Sequence, residues 1–269
     1  MALAPFITAR ESPYLSKHNT GLGNVLFQIA STYGLSKMLK KGVSYHFLAQ
    51  FGDILQDRFG YNHKETIFRN FLEMEYTGQP WLLLWEEDGG QYKFDSTLAN
   101  KIHTTRYSVL KGYFEYYGYF RDCAEEIRAR LQPDKESLQL LQSRYPFLFT
   151  DRNTVSVHFR LHEYATKYKG SYYEKAIEYA KANIENPLFV IFTDDPKGLR
   201  LRTIGLEGAH IMSNEADYLD LWAMSFCKHN ITSLSTFSFW GTFLNPNPNK
   251  IVISDKTCHR GWYPDSVKI

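Results

Sequence analysis

Four short segments of this chain carry side chains suited to gripping a phosphorylated ligand. In Thr154-Val-Ser-Val-His-Phe-Arg160 apolar and polar residues alternate with period two, which places His158 and Arg160 on one face of a strand. A guanidinium at the carboxyl end of such a strand can hold a pyrophosphate in fork geometry and neutralise it as it leaves. An ordinary strand-end salt bridge would give the same pattern. His158 and His162 also show H-x-x-x-H spacing, but that spacing matters as a metal pair on a helix and this segment reads as a strand, so a metal pair is not expected. Phe192-Thr-Asp-Asp-Pro196 sets Asp194 and Asp195 just past an apolar run, where paired acids bind magnesium, a ribose or a base edge, or simply line a solvated loop. Ser235-Thr-Phe-Ser-Phe-Trp-Gly241 reads as a hydroxyl-rich helix start. The hydroxyls and free N–H groups of Ser235, Thr236, Phe237 and Ser238 suit a phosphate, and they equally suit N-capping. Gly21-Leu-Gly-Asn24 is a glycine turn before a helix. There Gly21 and Gly23 would admit close backbone approach by a phosphate or sugar, or merely punctuate the helix start.

These residues need a scaffold, and the second half of the chain spells one out. The strand at 154–160 is followed by Ser171-Tyr-Tyr-Glu174, a capping-box pattern. Tyr173, Ile177, Ala180 and Ile184 then recur at helical spacing, and Pro187 closes that helix. Leu188 to Phe192 is a short apolar run of the kind buried on both faces of a sheet. A weak strand at His210–Met212 and a helix from Ala216 to Cys227, capped by Asn214, come next. A strand from Ile231 to Leu234, a helix from Thr236 to Leu244 and a strand at Ile251–Ile253 complete the series. Alternating strands and helices imply a mostly parallel sheet covered on both faces, with ligands at the carboxyl ends of its strands.

In the first half, Leu22, Leu26, Ile29 and Tyr33 mark one face of a helix, and Lys40-Lys41-Gly42 suits its end, Gly42 supplying the left-handed cap. Tyr45–Leu48 is expected as the next strand and Arg121–Leu131 as a further helix. Residues 133–153 read as the join between two lobes, 1–150 and 151–269.

Composition narrows the function classes. Charged residues make up 22% of the chain and the formal net charge is +2, so nothing suggests nucleic-acid or polybasic membrane binding. No run of about 18 apolar residues occurs, so no membrane span is expected. Met1–Ser12 does not resemble a secretory signal. The three cysteines, Cys123, Cys227 and Cys258, are few and widely spaced, which suits reduced thiols in a soluble cytoplasmic protein. Asn230-Ile-Thr232 is a formal sequon in an apolar neighbourhood and is not expected to be used. Aromatic residues reach 16% and crowd Gly112–Phe120, which fits either a sugar-binding surface or an aromatic core.

In order and spacing, Thr20-Gly-Leu-Gly-Asn-Val-Leu-Phe-Gln28, His158-Phe-Arg-Leu-His-Glu-Tyr164, Phe192-Thr-Asp-Asp195 and Cys227-Lys-His-Asn-Ile231 with Ser235–Gly241 resemble the α-1,2-fucosyltransferase family over nearly the whole chain. The resemblance implies an α/β fold of GT-B architecture, two Rossmann-like lobes facing across a cleft, with the N-terminal lobe on the acceptor side. It implies GDP-β-L-fucose as donor, a glycan hydroxyl (a galactoside 2-OH) as acceptor, transfer with inversion, and no metal or other cofactor. It carries Arg160 over as the pyrophosphate ligand, with His158, Asp194, Asp195 and the Ser235–Ser238 turn as donor-site residues. Gly21, Gly23 and Asn24 become donor-side contacts, Asn24 at the lobe interface. The chain departs from the family pattern at Leu161, His162 and Glu163, where the family has Arg, Gly and Asp. Glu163 is the acid–base group this segment offers, with His162 behind it. The departures leave open another nucleotide-activated deoxysugar as donor, or a carbohydrate-binding relative without turnover.

Overall fold

The computed structural model describes residues 6–10, 21–44, 63, 65–74, 83–86, 95–97, 100, 107–160, 172–195, 206, 208–212, 215–258 and 261–269. The chain forms two compact units, Met1–Gln132 and Pro133–Ile269. The division falls before the 133–153 segment, not at 150. The reason is local: Asp134 caps helix Lys135–Arg144 by accepting from Ser137 N–H at 2.7 Å, and Arg144 and Tyr145 both bond the buried carboxylate of Glu215. The segment is thereby tied to the second unit.

Unit 2 contains strands β5 (Thr154–Phe159), β6 (Leu188–Thr193), β7 (His210–Ile211), β8 (His229–Ile231), β9 (Val252–Ser254) and β10 (Val267–Lys268). They form one parallel sheet in the order β10-β9-β8-β5-β6-β7. Counted from β5 this is 6-5-4-1-2-3, the doubly wound dinucleotide-binding order, whose direction reverses between β5 and β8. Among the helices of this unit are α3 (Lys135–Arg144), α4 (Tyr172–Asn183), α5 (Asp217–Phe226) and α6 (Thr236–Leu244). One core gathers Val155, Val157 and Phe159 with Ala176, Ile177, Ala180, Ile191, Ile231 and Ile253.

The alternation along β5 predicts one apolar and one polar face, and the polar face is also buried. Its side chains find protein partners instead of water, as buried polar groups must. Thr154 Oγ1 accepts from Lys228 N–H at 3.1 Å, and Ser156 Oγ accepts from Asn230 Nδ2 at 2.7 Å. Asn230 is 1% exposed and its amide also bonds Asn245, so the sequon asparagine is a core strand residue. The strand expected at Ile231–Leu234 lies two to three residues earlier, because Asn230 and Ile231 take the ladder positions beside Ser156 and Val157. Thr232–Ser235 form the turn that follows.

Unit 1 has a second parallel sheet, β2-β1-β4-β3, from β1 (Phe6–Arg10), β2 (Gly42–Ser44), β3 (Leu83–Glu86) and β4 (Tyr107–Lys111). Helix α1 (Leu22–Met38) is buried from Leu22 to Ser36 apart from half-exposed Asn24, a wider burial than the single predicted face. Gly34 permits this: a Cβ there would stand 2.1 Å from the Tyr119 carbonyl oxygen. The helix stop departs from expectation. Lys40, with φ +53°, takes the left-handed position, and Lys41 N–H closes on Ser36 O at 2.9 Å. Gly42 begins β2 instead. The expected helix at 121–131 is a 3₁₀ turn, Arg121–Cys123, running into α2 (Ala124–Arg130). Tyr45–Leu48 lies outside the described residues. No helix is long and apolar enough to cross a membrane among the described residues.

Candidate active site

The sheet of unit 2 delivers its chemistry to one place. β5 ends in His158-Phe159 and is followed by Arg160, β6 ends in Thr193 and is followed by Asp194-Asp195, and β8 leads through Thr232–Ser235 into α6. β5 and β8 flank the point where strand order reverses, which opens a crevice at the carboxyl ends of the strands. All three strands run parallel, so these ends lie on the same edge of the sheet.

Arg160 follows the last residue of β5, and Asp194 occupies the same level beside it, since Phe159 pairs with Thr193. Arg160 Nη1 lies 3.4 Å from Asp194 Oδ2, with the two side chains 35% and 14% exposed. The guanidinium is therefore oriented by a carboxylate yet remains open to solvent, and to a ligand. Asp195 N–H donates to Thr193 Oγ1 at 3.1 Å, and the chain bends at Asp194 as it leaves β6.

His158 is 5% exposed and enclosed by three elements. Its Nδ1 lies 2.8 Å from Ser233 Oγ in the turn after β8. Its carbonyl accepts from the Tyr173 hydroxyl of α4 at 2.9 Å. The Phe237 ring lies 5.5 Å from the imidazole at 41°. Burial pushes the imidazole pKa down to about 3; positive Arg160 adds to the shift and Asp194 opposes it. His158 is thus neutral at physiological pH. It fits a hydrogen-bonding role, and it is too weak a base to serve as general base.

The Ser235–Ser238 turn divides. Ser235 Oγ accepts from Phe237 N–H at 3.3 Å and caps α6. Ser235, Thr236 and Phe237 are half-exposed at the helix start, where main-chain N–H groups and the helix dipole favour an anion. Ser238 points inward: it is 1% exposed and its Oγ accepts from Ser233 N–H at 3.0 Å. It belongs to the support of the site rather than to its ligand-facing surface. Ser233 and Tyr173 are the members that sequence reasoning missed. Ser233 has no local signal, because its partner lies 75 residues earlier.

In unit 1, Gly21 is the N-cap of α1, with extended φ −61°. A Cβ on Gly21 would meet nothing within 4 Å, so the packing of the unit does not demand a glycine there. Gly23 is buried and Asn24 is half-exposed one turn into the helix. Two α1 side chains pin the loop after β4: Gln28 Nε2 donates to Gly112 O and Ser31 Oγ to Phe114 O, each at 2.9 Å. Phe114 is held at φ +52°, and Tyr113, Glu115 and Tyr116 flank it half-exposed. Leu161, His162 and Glu163 lie outside the described residues. No group of three or more His, Cys, Asp or Glu side chains comes together among the described residues.

A doubly wound unit with a cationic, hydroxyl-lined switch point, together with a second parallel α/β unit, is an α/β fold of the GT-B class. Residues 16–260 match the model of glycosyl transferase family 11, and the chain belongs to that family. The chain is 27% identical to the O-antigen biosynthesis glycosyltransferase WbnK of Escherichia coli, over 90% of its own length and 93% of the relative's. It is 28% identical to an α-1,2-colitosyltransferase of Escherichia coli, over 83% and 84% of the two chains. Its fold matches the fucosyltransferase NodZ of Bradyrhizobium at a TM-score of 0.56, with 12% identity, over 91% of this chain and 95% of that one. A NodZ α-1,6-fucosyltransferase crystal soaked with GDP-fucose gives a TM-score of 0.55 at 12% identity, over 95% and 96% of the two chains.

Proposed function

We propose that this glycosyltransferase moves fucose from GDP-β-L-fucose to a glycan hydroxyl, the 2-OH of a galactoside, with inversion and without a metal. The observation that carries the reading is the meeting of Arg160, His158, Asp194 and the start of α6 at one switch point. In this reading Arg160 and the α6 N-terminus take the pyrophosphate and neutralise the charge that grows as GDP leaves. Asp194 accepts the N1–H and N2 amino protons of guanine, the one common base with two parallel donors on that edge. Asp195 lies beside it as a ribose-side contact. In unit 1, the Gly21–Asn24 helix start, with Gly21 exposed and Asn24 half-exposed, is assigned to the donor flank, and the half-exposed Tyr113, Glu115 and Tyr116 are assigned to the acceptor. Inversion requires the acceptor oxygen to attack opposite the departing GDP, and Glu163, with His162 behind it, is assigned to take the proton. Three buried cysteines, none in a disulfide, support a cytoplasmic location.

Incubation with GDP-fucose and a panel of galactosides tests the proposal. Expected is GDP release dependent on the acceptor and an α-linked fucosyl product; no turnover with any galactoside would refute it. A second donor is favoured by one relative, whose name makes it a colitosyltransferase. A colitosyl nucleotide outcompeting GDP-fucose in the same assay would establish that reading instead. Failure to bind any nucleotide would point to a carbohydrate-binding protein.

A further inference from the structure

We propose that Ser233 is a positioning residue that locks His158 as the Nε2–H tautomer, so that His158 meets the donor nucleotide as a hydrogen-bond donor. The proposal rests on the reading of this crevice as the donor site.

Ser233 follows β8 by two residues and is 1% exposed. Its Oγ lies 2.8 Å from His158 Nδ1, and its side chain has no second partner among the described residues. A hydroxyl carries one proton and two lone pairs, and a neutral imidazole carries one proton on either nitrogen. If Nδ1–H donated to Oγ, the hydroxyl proton would be buried with no acceptor. If the hydroxyl donates to Nδ1, only a lone pair goes unused. Stranding a buried donor is the more costly arrangement, so the hydroxyl proton goes to Nδ1 and the ring proton resides on Nε2. The imidazole stays neutral because of burial, so the choice of tautomer is the chemically relevant one.

The lock is built from α6 backward. Ser238, in the first turn of α6, accepts the Ser233 N–H at 3.0 Å and fixes the main chain from which the Ser233 hydroxyl projects. Phe237 lies against the imidazole, and Tyr173 ties down the His158 carbonyl at 2.9 Å. Nε2 has no partner among the described residues. An Nε2–H group can pair only with an acceptor, so the atom it meets is an oxygen or unprotonated ring nitrogen of the nucleotide. The inward-facing serines thus serve donor binding without touching the donor.

The test is ¹⁵N NMR of the full chain labelled at its nine histidines, with the His158 signals assigned by their loss in His158→Gln. The parent should show His158 with Nε2 protonated and Nδ1 bare. Ser233→Ala should mix the tautomers and weaken GDP binding about fivefold, the equivalent of one ordinary hydrogen bond. Ser233→Thr, which keeps the hydroxyl, should restore both readouts to within about twofold of the parent. A parent protein protonated at Nδ1 overturns the lock outright, as does Ser233→Ala with unchanged tautomer and unchanged affinity. If His158→Gln binds GDP as well as the parent does, the donor-site reading fails while the tautomer result stands by itself.

Discussion

Replacing Arg160 separates catalysis from stability, because the structure makes the two costs very different. The guanidinium is about one-third exposed and its carboxylate partner Asp194 lies 3.4 Å away. A pair at this distance whose guanidinium is partly exposed, although its carboxylate is 14% exposed, contributes about 0–1 kcal/mol. For a chain of this size, 1 kcal/mol moves the melting temperature by about 2–4 °C. The catalytic cost should be larger. A charge aimed at the leaving pyrophosphate acts mostly in the transition state, and losing one such group costs on the order of 10²-fold in turnover, about 2.7 kcal/mol. Arg160→Ala should therefore lower kcat at least about 100-fold while the melting temperature falls by no more than about 4 °C. Arg160→Lys should stay poor, since an ammonium keeps the charge and loses the fork. Initial rates of GDP release and a thermal melt on the same preparation read both numbers. Near-parental turnover in Arg160→Ala, or a melt lowered by 10 °C or more, would refute the assignment; the second outcome would make Arg160 a structural residue.

Four further outcomes follow from the site. Activity should persist in excess chelator, and loss of activity restored by magnesium or manganese would instead make Asp194 and Asp195 a metal site. GDP should raise the melting temperature more than UDP or ADP does, and Asp194→Ala should erase that preference; equal stabilisation by all three in the parent would contradict the guanine assignment. Glu163→Gln should lower turnover at least about tenfold with GDP affinity unchanged. A fully active Glu163→Gln beside a dead His162→Ala would transfer the base to His162. His158 also predicts acid lability: the unfolded chain protonates it near pH 6.5 while the fold holds it neutral down to about 3. Its contribution is complete above pH 6.5 and is lost as pH falls through that window at about 1.4 kcal/mol per unit. Urea titrations at pH 7 and pH 5 should show a loss about 2 kcal/mol larger in the parent than in His158→Gln, and equal losses would overturn this.

The alternating half of the chain was legible because each of its signals is local. Period two marked β5, an apolar run marked β6, and a hydroxyl followed by apolar residues marked α6. What local signals could not supply was register. Ile231 and Leu234 look like one apolar strand, but pairing of Val155–Val157 with His229–Ile231 ends β8 at Ile231 and turns the next residues into a site loop. Phe6–Arg10 was passed over for a related reason. Phe6-Ile-Thr-Ala-Arg10 is neither a continuous apolar run nor a strict alternation, and its standing comes from β2 and β4 on either side. Lys40 shows the same limit at a helix end. The nearby glycine looked like the left-handed cap, yet the length of α1 placed that conformation on Lys40.

The residue types of the site were legible, but the direction each side chain faces was not. Ser235, Thr236 and Ser238 look alike in sequence, and only the last turns inward. The cause lies one turn further along α6. Gly241 packs so closely on α5 that a Cβ there would stand 2.2 Å from Met224 Sδ, so from that turn on α6 is seated inside the unit. Ser238 is three residues earlier on the same side of the helix, and every residue from Ser238 to Leu244 is buried. Only the first turn of α6 is left to face the crevice. A small residue inside an otherwise bulky helix marks a close helix contact. The hydroxyl three positions before it therefore belongs to the packing, where it supports Ser233 and, through it, His158.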